Sequence, residues 1–109
     1  MAIQKKYLKS KPVCKVTFSV PKEAAGTAEE VCIVGDFNKW KKKFSLLKKL
    51  KNGTFKITLD LPCGREYQYR YLMDNQTWEN DWAADKYVQS PYGMENSVVV
   101  VEPGPAERS

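Results

Sequence analysis

Histidine is absent from the 109 residues. That removes the side chain most often used as a general base, and with it every Ser-His and Cys-His nucleophile pair. The three cysteines, Cys14, Cys32 and Cys63, are odd in number and widely spaced, with no Cys-x-x-Cys pair. A zinc site needs thiolate or imidazole ligands at close spacing, so no metal is expected, and no cofactor. Buried thiols acting as small core hydrophobes are the expectation. Long apolar runs are missing too. None approaches the ~18 residues of a membrane helix, so no membrane partner is expected. The opening MAIQKKYLKSKPVCK has no apolar stretch of the kind that marks a secretion signal, and a cytoplasmic location follows as an expectation. Carboxylates around Glu79, Asp81 and Asp85 remain for catalysis, but a domain this small has little room for a deep cleft. The chain is not expected to be an enzyme.

What is present describes one soluble domain. The length suits a single modest core without staples, and 42% hydrophobic with 28% charged residues is ordinary globular composition. Charge is uneven. Residues 1 to 51 carry thirteen Lys against four acids, a net of +9, and residues 52 to 109 carry five basic against nine acidic residues, a net of −4. The basic half raises the prospect of an anionic partner. The Lys41-Lys42-Lys43 run is short, and a solvated loop is its expected role.

The periodicity is that of strands. In VCKVTFSV, Cys14, Val16, Phe18 and Val20 alternate with polar residues, which marks a half-buried strand. VCIVG is apolar on both faces, as a central strand would be, and Gly35 closes it. A short edge strand is expected near Leu46 to Lys49. Asn52-Gly53 is a hairpin signal. After it TFKITLDL points Phe55, Ile57, Leu59 and Leu61 inward, and EYQYRYLM does the same with Tyr67, Tyr69, Tyr71 and Met73. Asp74-Asn75-Gln76 turns the chain, residues 77 to 96 read mostly as loop, and SVVVVE is the last strand. Six or seven short strands at this spacing predict an all-β, immunoglobulin-like β-sandwich of about seven strands. The expected divisions are a basic segment over 1–12, the sandwich over 13–102 and a flexible tail over 103–109.

All three tryptophans fall outside the clear strands, at Trp40, Trp78 and Trp82. Inward positions are taken by phenylalanine and tyrosine instead. Indoles in loops at one end of a sandwich make a platform, and the matching ligand is a sugar ring. The C–H face of a glucopyranose carries slight positive charge, whereas the indole face is the negative part of its quadrupole. The ring-edge hydroxyls then need donors and acceptors, and Arg70, Lys39, Asn75, Asn80 and Asn96 are suitable kinds of group. Plainer roles stand beside these: Trp40 as a core plug, Trp78 as a strand-end packing residue, Trp82 packed on the sandwich, Arg70 solvated or paired with Asp60 or Glu79, and Asn96 capping local backbone.

VGDFNKW, then TFKITLDLPCG after Asn-Gly, then EYQYRYLMDNQTWENDW, then PYGMENSVVVV occur in an order that resembles the early-set glycogen-binding domains, carbohydrate-binding module family 48. Such domains precede the barrels of isoamylases and branching enzymes and occur in the β subunit of AMP-activated protein kinase. The resemblance covers about residues 13 to 102. It implies an early-set sandwich and a sugar site in which Trp40 and Trp78 stack on glucose rings while Arg70 and Asn96 hold hydroxyls. Arg70 stands where the family usually has Lys, and Tyr92 where kinase members have a leucine finger. QTW holds one residue more than those members have before the second indole, and Trp82 stands where they have Pro.

Three functions are weighed. The first is a non-catalytic α-glucan module whose partner is a glycogen- or starch-like polysaccharide or a malto-oligosaccharide. The second is a regulatory module that partners a separate glycogen-metabolising enzyme or kinase without binding sugar. The third, single-stranded nucleic-acid binding, is disfavoured, because Glu79, Asp81 and Asp85 crowd the second tryptophan and would repel phosphates.

Overall fold

Strands dominate because the alternating segments each have one apolar face to bury. The computed structural model describes residues 1–104. The expected tail therefore falls outside the described residues from 105 onward. In chain order the elements are β1 (Ala2–Tyr7), β2 (Val13–Val20), the single-turn helix α1 (Lys22–Ala25), β3 (Val31–Gly35), a 3-10 turn (Asp36–Asn38), β4 (Lys48–Lys49), β5 (Phe55–Pro62), β6 (Arg65–Met73), β7 (Thr77–Glu79), β8 (Lys86–Gln89) and β9 (Glu95–Val101). They form two antiparallel sheets, ordered β1-β2-β5-β4 and β3-β6-β9-β8, with β7 also paired to β6. The fold is the β-sandwich that the alternation predicts.

The core lies between the sheets. Val16, Phe18 and Val20 of β2 meet Ile33 of β3, Tyr69 and Tyr71 of β6 and Val99 of β9, all fully buried. Phe18 and Tyr69 pack edge to face with centroids 5.2 Å apart, an arrangement that adds about 0.5–1.5 kcal/mol beyond the area buried. Phe37 packs against this cluster from the loop after β3. Cys14, Cys32 and Cys63 are all buried, and burial pushes the Cys14 and Cys32 thiols up. Among the described residues no helix is long and apolar enough to cross a membrane.

Three segments differ from the sequence reading. Residues 1–12, read as a basic segment ahead of the sandwich, contain β1, which pairs along its length with β2 from Ala2↔Ser19 to Tyr7↔Cys14. Residues 77–96, read mostly as loop, contain β7 and β8, both largely exposed. The edge strand expected near Leu46 to Lys49 narrows to Lys48–Lys49, while Leu46 bridges to Cys32 of the other sheet.

Candidate functional site

Gly35 ends β3 against the backbone of β6. A Cβ there would lie 2.4 Å from the Gln68 carbonyl oxygen, so only glycine lets the chain turn this close. The 3-10 turn that follows is held by Asn38. Its Oδ1 accepts the Gly35 N–H at 3.0 Å, and its Nδ2 donates to the Ile33 carbonyl at 2.9 Å and to Ser45 Oγ at 3.1 Å. Lys39 and Trp40 then both take left-handed backbone, with φ of 57° and 58°. For residues other than glycine that is strained by roughly 1–2 kcal/mol each, and it turns the indole out of the loop. Asp36 fixes the result. One of its oxygens accepts the Trp40 indole N–H at 2.9 Å and the other accepts the Gln68 backbone N–H at 2.7 Å. The edge of the indole is thus anchored, and the side chain stays 37% exposed.

Trp78 comes from the next hairpin. Asp74 and Asn75 both have positive φ, 51° and 57°, and Gln76 N–H donates to the Met73 carbonyl. This is the turn with two left-handed central residues whose twist suits paired strands. It sets Trp78 opposite Leu72 in the β6–β7 ladder, also 37% exposed. Lys42, from the loop after Trp40, lies with its ammonium 5.9 Å from the Trp78 ring centre.

Trp40, Trp78, Arg70, Tyr92 and Asn96 line a single open groove of about 500 Å³, with Gln68, Ser90, Pro91 and Met94. Tyr92 is 90% exposed at the tip of the loop between β8 and β9. Arg70 donates from Nε to the Glu95 carbonyl at 3.1 Å and from Nη1 to Met94 Sδ at 3.6 Å; neither Asp60 nor Glu79 is its partner. Asn96 is nearly buried and donates to Gln68 Oε1 at 3.0 Å, so its amide pairs with a side chain and does not cap backbone. Trp82 lies outside the groove, 65% exposed. Lys39 and Asn75 do not line the groove either.

Sequence reasoning missed four lining residues. Gln68 was within reach, because it shares the outward face of β6 with Arg70 two positions on. Ser90, Pro91 and Met94 lie on an irregular loop and gave no periodic signal. A buried polar cluster supports the groove from below. Tyr69 and Tyr71 both donate to Asp81 Oδ2, at 2.8 and 3.0 Å, and Ala83 N–H donates to Oδ1. Burial, followed by the Asp81 carboxyl, pushes both phenols well above their ordinary range. From Asp81 the network continues outward. Its N–H donates to Ser97 Oγ, Ser97 donates to Asn80 Oδ1, and Asn80 Nδ2 shares the Glu95 carbonyl with Arg70. The groove therefore offers three aromatic rings, one cation and several amide and hydroxyl groups. Such an arrangement can stack on flat, amphipathic rings. Among the described residues no group of three His, Cys, Asp or Glu is placed to hold a metal.

Residues 23–106 match the family described as the glycogen recognition site of AMP-activated protein kinase. The chain is similar to the 5'-AMP-activated protein kinase subunit beta-2 of Mus musculus and of Rattus norvegicus, with 38% identity over 74 residues, covering 68% of this chain and 26% of each relative. The subunit beta-2 of Homo sapiens shows the same identity over the same length, covering 25% of the relative. The match thus spans about a quarter of the length of these curated relatives. With the family matched over most of its length, the chain belongs to the glycogen recognition domains of the AMP-activated protein kinase type.

Proposed function

We propose that this domain binds α-glucan without catalysing a reaction on it, with glycogen, starch-like polymer or malto-oligosaccharide as ligand. Trp40 and Trp78 stack on glucose rings, Arg70 and Asn96 hold hydroxyls, and Tyr92 caps a ring from the opposite lip. The observation that carries this reading is the convergence of all five on one groove, although they come from four separate stretches of chain. The family described as a glycogen recognition site supports the choice of polymer. A shallow stacking site should bind at roughly micromolar to millimolar Kd. Cytoplasmic residence belongs to the same reading; an odd number of buried cysteines suits a reducing compartment.

Electrophoresis through gels with and without glycogen tests the proposal. The chain is expected to be retarded by glycogen, and Trp40→Ala is expected to migrate as if glycogen were absent. Equal mobility of the unmodified chain in both gels would remove the sugar reading.

A protein partner is a second reading, favoured by one observation. Phe44 and Leu46 are exposed within the lysine-rich stretch 39–51, away from the groove lining, and the named relatives are kinase subunits. On this reading a separate enzyme or kinase chain covers that surface. Co-purification that survives both glucan removal and Trp40→Ala would support it.

A further inference from the structure

Trp78 borders two grooves. The second is a hollow of about 480 Å³, whose own walls are Glu79, Asn80, Tyr87, Gln89, Gly93 and Glu95. Arg70, Trp78 and Met94 line both hollows. The two hollows therefore adjoin along these three residues. Each hollow lies in the range of small-ligand sites, roughly 300–1,000 Å³, and together they hold more than one sugar ring.

We infer that the second groove is a further binding site for neutral glucan, taking the glucose units that run on past Trp78. The inference rests on the sugar reading of the first groove. The chemistry of the two hollows differs in a way that suits successive parts of one polymer. The first has two indole faces and Arg70 as its one charged wall. The second exchanges aromatic area for hydrogen-bonding groups. Glu79, Gln89 and Glu95 line it, and among the described residues their side chains make no hydrogen bond or ion pair. Carboxylates accept from sugar hydroxyls, and an amide both accepts and donates. Tyr87 contributes a half-exposed ring, held in place because its hydroxyl donates to the Asp81 carbonyl. Asn80 is already committed on both sides of its amide, to Ser97 and to the Glu95 carbonyl. Two carboxylates against one guanidinium leave this hollow net negative, so a phosphorylated or acidic sugar is repelled where a neutral polyol is accepted.

The test compares maltotriose with maltoheptaose on the full chain by calorimetry and amide chemical shifts. The unmodified chain is expected to bind the longer sugar about tenfold more tightly, with shifts at Tyr87 and Gln89 for maltoheptaose only. In the double variant Glu79→Ala/Gln89→Ala the long-to-short affinity ratio is expected to fall to about two. Neither side chain makes a hydrogen bond that the fold uses, so folding is preserved. A variant that keeps the full ratio, or maltoheptaose shifts confined to the Trp40 and Tyr92 side, would overturn the inference while leaving the first groove intact. Failure of the unmodified chain to bind either sugar would overturn the first-groove reading and this one with it.

Discussion

Asn38 makes three hydrogen bonds with its amide, to Gly35, Ile33 and Ser45, and is almost wholly buried. Removing it leaves a backbone N–H, a carbonyl and a hydroxyl buried without partners, at about 1–3 kcal/mol for each group that water cannot reach. Asn38→Ala is therefore expected to lower stability by about 2–4 kcal/mol, read as a shifted urea midpoint at unchanged slope. Trp40 fluorescence should also move toward that of a solvated indole, because the left-handed backbone at Lys39 and Trp40 is strained and relaxes once the turn is loosened. A loss under about 0.5 kcal/mol would show that the amide does not hold the loop. The exposed indoles of this site could be read in the sequence because tryptophans outside alternating segments are conspicuous. Asn38 could not. In GDFNKW it looks like any polar loop residue, and its burial depends on Ser45, seven positions on, folding back over it.

The same contrast separates the strands. β2, β5 and β6 are legible because each places apolar side chains at every second position against the opposite sheet, and β9 because its valines run unbroken from Val98 to Val101. β1 is not, since AIQKKY puts Lys5 on the same face as Ile3 and Tyr7, and that lysine reaches the edge to pair with Asp85 at 2.7 Å. β7 and β8 are short and exposed, and their existence is decided by pairing with β6 and β9, not by burial. Yet the segment between them carries the carboxyl that ties it to β6. Asp81 read as one of three loop acids; the structure places it at 0% exposure beneath two phenols. Asp81→Asn leaves one oxygen where there were two, so either both tyrosine hydroxyls or the Ala83 N–H lose their acceptor. The expected cost is about 2–3 kcal/mol, the scale of hydrogen bonds to charged groups. Because the backbone N–H of the same residue leads through Ser97 and Asn80 to the carbonyl that holds Arg70, a backbone shift in the variant should weaken glucan binding at temperatures where it is still folded. Melting curves with a parallel glycogen gel check both effects, and unchanged retardation would confine Asp81 to the core.

At the scale of the whole molecule, the buried tyrosines set how the fold answers to alkali. Tyr67, Tyr69 and Tyr71 follow one another along the inner face of β6, which runs between β3 and β9 at the centre of its sheet. All three phenols are pushed above their ordinary value of about 10, by burial first and, for Tyr69 and Tyr71, by Asp81 next. Below about pH 10 folded and unfolded chains both hold these protons, and stability is indifferent to pH on their account. Above it the unfolded chain releases them and the folded chain does not. Raised folded values thus mean stability that is complete at neutral pH and is lost as pH climbs past the unfolded value. Each group contributes up to about 1.4 kcal/mol per pH unit, so Tyr69 and Tyr71 together cost about 3 kcal/mol per unit. That is a large share of the roughly 5–15 kcal/mol that holds a domain of this kind. Two pH units above 10 remove about 6 kcal/mol, so a sandwich near the lower end of that range is expected to unfold cooperatively by about pH 12, with the phenolate absorbance of the buried tyrosines rising in the same step as the loss of strand signal. Tyr71→Phe leaves Tyr69 as the principal source of this dependence and should roughly halve the slope. Full phenolate absorbance with the strand signal intact would mean that the inner face of β6 admits hydroxide, and that the sheet carrying the groove is less tightly closed than its packing implies.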